Sequence, residues 1–230
     1  HQLGIDPLTL RQMNVVEEGQ WLHILDEPND SCVLNDILKH VRVKIGWDDI
    51  YPRKVLDNGH IIAVGAAMAM QGSGIAKLDS SSARVLLEED GFYTLMIGST
   101  DMGTGSDTTL TQIASEVLQC SAKRINIHGV DTDVSPYDPG SYASSTAYVT
   151  GNAVKMAAEA LLEKMVAYAA SLLECEVQDV TFDGDDFTNS LGVGISLIDL
   201  STKLYVWNHK RLEGEASWGG QYSPPPAMAA

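Results

Sequence analysis

The chain has 230 residues, enough for one large domain or a small one with part of another. Hydrophobic residues make up 44% and charged residues 20%, the proportions of an ordinary globular protein rather than a disordered one. Lys and Arg number 15 against 31 Asp and Glu, and the resulting formal charge of −16 argues against nucleic acid or an anionic membrane surface as a partner.

The cysteines, Cys32, Cys120 and Cys175, lie far apart and form no CxxC. They read as small buried hydrophobes in a reducing compartment, which points to a cytoplasmic protein. The longest apolar run, "HIIAVGAAMAM" from His60, falls short of the roughly 18 residues a membrane span needs. No signal-peptide pattern is visible. The chain opens on "HQLGIDPLTL" without an initiator Met, which has the texture of mid-protein sequence and leads us to expect a fragment of a longer chain.

Taken in chain order, Asp6-Pro7 followed by "LTLRQMNVV" predicts an N-capped helix with Pro in its first turn. Residues 20–30 read as loop. Val33, Leu34, Ile37, Leu38, Val41 and Ile45 recur at helical spacing, with Ser31 as the candidate cap. "YPRKVLDNG" reads as a connector, and we place a boundary near Asn58. Residues 1–57 are then a helical segment continuing from a preceding domain, and 58–230 a second domain, incomplete at its C-terminus. "IIAVGAAMAM" predicts an apolar strand and "QGSG" a turn. "SARVLLEEDGFYTLMIG" predicts two strands joined at Asp90-Gly91, a dipeptide favoured in tight hairpins. Leu110, Ile113, Ala114, Val117 and Leu118 mark the buried face of a helix, "KRINIHGVDTD" holds a short strand, and Ser145 to Leu173 carries a long helical pattern. "VTFDGDDF" is strand and turn, "SLIDLSTKLYVW" a further helix, and "EASWG" a strand start. Strands and helices alternate, so the fold class is α/β or α+β, with mixed sheets and packed helices.

Two segments carry chemistry. In "MIGSTDMGTGSDTTLTQIASEVL" a strand ends at Met96 and Ile97, and Gly98, Gly103 and Gly105 permit backbone shapes closed to other residues. Thr104, Ser106, Thr108 and Thr109 then offer hydroxyls at a helix start. Unpaired amides and the positive end of the helix dipole suit an anion there, so the stretch reads as a phosphate cradle. A plain strand-to-helix turn with a capped helix remains an open reading. Nucleotide motifs fit poorly, because no Lys follows the glycines and "GTGSDT" lacks the last Gly of GxGxxG. Asp107 would oppose a bound phosphate unless it points away. The second segment, "DTDVSPYDPGSYASSTAYVTGNAV", turns tightly at Pro136, Pro139 and Gly140 and again places small hydroxyl residues before a helix. Two such units in one chain could converge on one large ligand.

These residues resemble the molybdenum hydroxylases, the xanthine dehydrogenase and aldehyde oxidoreductase family. "STDMGTGSDTTLTQIASEVL" is similar to that family's "DMGQG…T…Q…A" segment, and "DTDVSPYDPGSYASSTAYVTGNAV" to its next cofactor segment. "LGIDPLTLRQMNVVEEGQ" and "GAAMAMQGSGIAKLDSSSARVLLEEDG" resemble further stretches of the same subunit, in order, over nearly the whole chain. The resemblance implies the second molybdenum-cofactor-binding domain of a xanthine dehydrogenase-type large subunit. It implies molybdopterin, in its cytosine dinucleotide form, with molybdenum. Met102, Gly103, Thr104 and Gly105 would lie against the pterin. Ser141, Tyr142, Ser144, Ser145 and Thr146 would flank or bond its other side, and Ala143 would approach the molybdenum through its backbone. The family has Gln where Thr104 stands. Thr is too short to replace that side chain, so a water could bridge, or Gln71 could serve instead.

The implied reaction is hydroxylation of an electron-poor carbon of a purine, N-heterocycle or aldehyde with water-derived oxygen. Electrons would leave through iron–sulfur clusters, with FAD a further candidate, on partner domains or subunits. The implied base is a glutamate in a Gly-Glu-Pro segment beyond these residues. Glu215 in "EGEAS" is followed by Ala and reads as a surface acid, so no catalytic residue is expected within this chain. The expected partners are the rest of the molybdenum subunit, the electron-transfer partners and a small-molecule substrate. The histidines show no HxH or HExxH spacing. His128 reads as a strand-end or core residue, and Asp131, Asp133 and Asp138 crowd a loop without EF-hand order. Two other readings stay open: a scaffold of the same fold that binds no molybdenum, and a generic α/β domain holding another phosphorylated ligand.

Overall fold

The computed structural model describes residues 3–22, 27–69 and 79–219. They form two compact units, one on residues 3–69 and the other on residues 79–219.

In the first unit, α1 (Pro7–Gln12) starts as its sequence predicts: Asp6 caps it, accepting the amide of Thr9 at 2.8 Å. The same carboxylate accepts the Trp47 indole N–H at 2.7 Å and lies 3.3 Å from the Arg42 guanidinium. Residues 20–30, expected as loop, carry two paired two-residue strands, β1 (Trp21–Leu22) and β2 (Glu27–Pro28). Helix α2 (Leu34–Lys44) begins behind Val33 with no side-chain cap, so Ser31 lies outside the helix start and does not cap it. After α3 (Trp47–Ile50), the expected connector instead forms β3 (Arg53–Val55), paired antiparallel with β4 (Ile61–Ala63). The boundary expected near Asn58 falls at the turn of this hairpin, where Gly59 adopts a φ of +81°. The apolar run after His60 is extended only to Ala63, and Ile61 and Ile62 are exposed.

The second unit opens with β5 (Ser80–Leu87) and β6 (Tyr93–Ile97), joined at Asp90-Gly91 as predicted, with Gly91 at φ +79°. Next come α4 (Ser106–Val117), β7 (Ile125–Gly129) and the long α5 (Thr146–Leu172). Then β8 (Val180–Phe182), β9 (Asp186–Asn189) and β10 (Gly194–Ser196) form a small antiparallel sheet. Helix α6 (Leu197–Thr202) widens into a π turn over Lys203–Trp207, so the last predicted helix is regular only in its first half. The chain returns as β11 (Glu213–Gly219). The main sheet has the order β11-β5-β6-β7, antiparallel except for β6 and β7, which run parallel with α4 as their crossover. This is the expected mixture of α/β and antiparallel elements.

Alternation along β5 and β6 sends Ala83, Val85, Leu87, Tyr93, Leu95 and Ile97 to one face, all fully buried. They pack with Leu110 and Ala114 of α4 and with Ala153, Ala157, Leu161, Met165 and Ala169 of α5. The alanines let α5 lie close against the sheet. At Gly214 of β11 a Cβ would land on the carbonyl oxygen of Ala157, so only Gly fits. His128, the penultimate residue of β7, is exposed with Nε2 3.5 Å from Asp131, so it is a strand-end residue and not a core one. Gly214→Ala is expected to lower stability by about 1–3 kcal/mol through overpacking, read as a lower thermal midpoint. Gly65→Ala, with nothing within 4 Å, should leave it unchanged. Identical melting of the two variants would contradict this packing.

Candidate functional site

The two segments that the sequence singles out come together. The loop from β6 to α4 (residues 98–105) and the loop into α5 (residues 136–145) are neighbours, and three features hold them so. A Cβ at Gly98 would sit 2.6 Å from the Pro136 carbonyl oxygen and 2.7 Å from the Asp138 Cβ, so the backbones meet there with no side chain between them. The Ser141 hydroxyl accepts the Thr100 amide at 2.8 Å and donates to the Thr100 carbonyl at 2.8 Å. The Asp138 carboxylate accepts from Ser81 Oγ at 2.6 Å, Thr150 Oγ1 at 3.1 Å and the Gly140 amide at 2.8 Å, tying its loop to β5 and α5.

Between the starts of α4 and α5 lies a cavity of about 260 Å³, lined by Thr104, Ser106, Thr109 and Leu110 from one side and Ser144, Thr146 and Ala147 from the other. Ser106, the first residue of α4, is 9% exposed, and its Oγ is buried with no hydrogen-bond partner among the described residues. Such a hydroxyl costs free energy unless something satisfies it. Ala143 and Ser144 are consecutive non-glycine residues in the left-handed region, at φ +50° and +57°. That conformation costs about 1–2 kcal/mol per residue, and the surrounding bonds must impose it.

One part of the sequence reading needs correction. The amides of Gly103 and Gly105 are not bare. Asp101 Oδ1 accepts them at 2.8 and 3.1 Å, and Oδ2 accepts that of Asp107 at 3.3 Å. The anion in the cradle is the chain's own carboxylate. The Gly103 amide above all, with those of Gly105, Asp107 and Thr104, holds Asp101 below the usual carboxylate range against the opposing effect of desolvation. Burial, and then the Asp101 charge, pushes Asp107 up. Asp101 was missed because a carboxylate at that position reads equally well as a solvated loop residue; its Asp-x-Gly-x-Gly spacing was the available signal.

Of the expected cofactor residues, Thr104, Ser144 and Thr146 line the cavity. Met102 is exposed, Gly103 and Gly105 belong to the turn around Asp101, and the Ser141 hydroxyl is spent on Thr100. Tyr142 directs its hydroxyl to Asp79 Oδ1 at 2.5 Å, and this bond, with burial and nearby acidic charge, pushes its pKa up to about 12. Ser145 is buried and donates to the Tyr142 carbonyl at 2.9 Å. Ala143 sits between these anchors, and Gln71 lies outside the described residues. Among the described residues, no group of three or more His, Cys, Asp or Glu is arranged to hold a metal ion, and Asp138 serves the loop instead. Glu215 lies on β11, with Oε2 3.4 Å from Arg84.

A sequence model of the molybdopterin cofactor-binding domain matches residues 40–229. The chain belongs to this family. It is 38% identical over 190 residues to the probable hypoxanthine oxidase XdhD of Escherichia coli (strain K12), covering 78% of this chain and 20% of that protein. It is 28% identical over 183 residues to the putative xanthine dehydrogenase molybdenum-binding subunit XdhA of the same strain, covering 78% of this chain and 24% of the other. The crystal structure of the aldehyde oxidoreductase from Desulfovibrio desulfuricans ATCC 27774 superposes with a TM-score of 0.59 at 21% identity, covering 99% of this chain and 22% of that one, which is a likeness of fold. The chain thus spans about a fifth to a quarter of the length of these curated relatives. The resemblance stated from the two loop segments is borne out, and the domain's mixed α/β fold agrees with it.

The charged form of Asp101 stabilises the loop. Its hold on the loop is fully present above the ordinary carboxylate value of 3.8 and is lost as pH falls through the lower folded value. Carboxyl carbon chemical shifts should therefore give Asp101 a midpoint below 3.8 and Asp107 one above it. The reverse order would contradict the amide turn.

Proposed function

We propose that this domain holds a molybdopterin cofactor, in its cytosine dinucleotide form with molybdenum, at the meeting of α4 and α5. The observation that carries this reading is the hydroxyl-rich cavity between two helix starts, bordered by Ser106, whose buried hydroxyl has no partner among the described residues. At about 260 Å³ the cavity lies below the usual range for a whole drug-sized ligand, so it takes one end of the cofactor. Thr104, Ser106 and Thr109 border it from the α4 side. Ser144, at the end of the loop, and Thr146, at the start of α5, line its other side, with the Ala143 backbone assigned to the metal end. The carboxylates of Asp101 and Asp107 disfavour a phosphate at the start of α4. That side therefore bonds the donor-rich pterin rather than the pyrophosphate. Thr104, shorter than Gln, leaves room there for water or substrate.

When bound, the group supplies oxidative hydroxylation of an electron-poor carbon, as in a purine, N-heterocycle or aldehyde, with oxygen derived from water. The residues of this domain bind and orient it, while the acid–base residue comes from elsewhere in a longer subunit. Iron–sulfur centres, and FAD, on partner domains or subunits complete the electron path, in the cytoplasm. A specific observation favours a second reading: the filled amide turn at Asp101 suits a scaffold that binds no molybdenum.

Metal and pterin analysis of the intact protein separates the two. The favoured reading expects about one molybdenum and one pterin per chain, with cytidine monophosphate released on acid hydrolysis. An ordered protein free of both supports the scaffold. Ser106→Val removes the hydroxyl and adds one methyl group beside the cavity, and is expected to lower pterin content by about tenfold or more with the melting temperature retained. It is a cleaner probe than Gly103, whose φ of +96° would strain any side chain. Full pterin content in the Ser106→Val protein would count against this cavity.

A further inference from the structure

The loop into α5 is anchored at points that lie outside the cavity. Asp138 reaches β5 through Ser81 and α5 through Thr150, and both of these partners are almost fully buried, at 1% and 2% exposure. The same carboxylate accepts the amide of Gly140, so one side chain fixes the turn to the sheet and to the helix together. The Tyr137 carbonyl accepts the Ser82 amide at 2.9 Å, which sets the same turn against β5. At the loop's far end, the Ser145 carbonyl accepts the amide of Val149 at 2.7 Å inside α5. Ala143 and Ser144 lie between these two fixed ends. A short segment held at both ends has few conformations left, and here the one that remains puts both residues in the left-handed region. Asp138 does not line the cavity, and its carboxylate accepts three hydrogen bonds, all from within the fold.

We propose that Asp138 is a positioning residue: its bonds to Ser81, Thr150 and Gly140 hold the 139–145 loop so that Ala143 and Ser144 keep the shape in which they and Thr146 receive the cofactor. This rests on the cofactor reading given above. It assigns to Asp138 a structural hold that the cofactor site needs, distinct from contact with the cofactor and from a cation site in the 131–138 loop.

The test uses the intact protein and two readouts: amide hydrogen exchange, and pterin retained after gel filtration. Asp138→Ala is expected to speed exchange over residues 139–146 by about tenfold or more while leaving β6 and the second half of α5 unchanged. Retained pterin should fall by a similar factor. Asp138→Asn keeps the shape and can still bond both hydroxyls, but its NH2 cannot accept the Gly140 amide, so it should restore both readouts only in part. Thr150→Val is isosteric and removes one donor; it should give a smaller rise in the same segment, so the idea stays testable if Asp138→Ala does not fold. Unchanged exchange in 139–146, or faster exchange with full pterin retention, overturns the assignment of Asp138. A wild-type protein that holds no pterin overturns the cofactor reading instead, and the exchange data then still report whether Asp138 holds the loop.

Discussion

At Gly98 the end of β6 runs against the 136–138 turn with no room for a side chain between them, and this approach sets where α4 and α5 begin. β6 lies inside a four-stranded sheet whose inner face is fully buried, so its end is fixed by the core. The second loop is then placed by contact with the first. Ser141 clips it to Thr100, and Asp138 ties it back to β5 and forward to α5. Two helix starts, separated in sequence by 40 residues (Ser106 to Thr146), are brought to opposite walls of one cavity.

That arrangement is bought with local strain. The left-handed pair at Ala143 and Ser144 and the orphaned Ser106 hydroxyl are both unfavourable in isolation. Ser144 and Ser106 both line the same cavity, which is where such costs are expected if a ligand is to be received without rearrangement. The Asp101 turn works in the opposite direction. It satisfies the glycine amides internally, stiffens the loop before any ligand arrives, and gives the α4 side a negative character. The site therefore divides chemically: a hydroxyl-lined cavity at its centre and a self-satisfied acidic turn at one edge.

Much of the fold was legible in the sequence because its signals are local. Asp90-Gly91 marked the hairpin, the alternation of Ala83 to Leu87 and the spacing of Val154 to Leu172 marked strand and helix, and Asp6-Pro7 marked a capped start. Signals that depend on distant partners were not legible. Ser31 has the right chemistry for a cap but the helix starts past it, and β3 needs β4 to exist at all. At the site, the sequence identified both loops and several residues that line the cavity. It could not reveal that Tyr142 would turn its hydroxyl to Asp79, 63 positions earlier, or that Ser141 would spend its hydroxyl on Thr100. Asp101 was hidden for a different reason: its partners are backbone amides, which every sequence has.

The most direct measurement is amide hydrogen exchange on the same intact protein with its cofactor and after the cofactor has been stripped. If the two loops receive one guest between them, loading should slow exchange over residues 104–109 and 143–147 together, while the β5–β6 turn at 88–92 stays as it was. Slowing confined to one of the two segments, or found in neither, would contradict a shared site at the starts of α4 and α5.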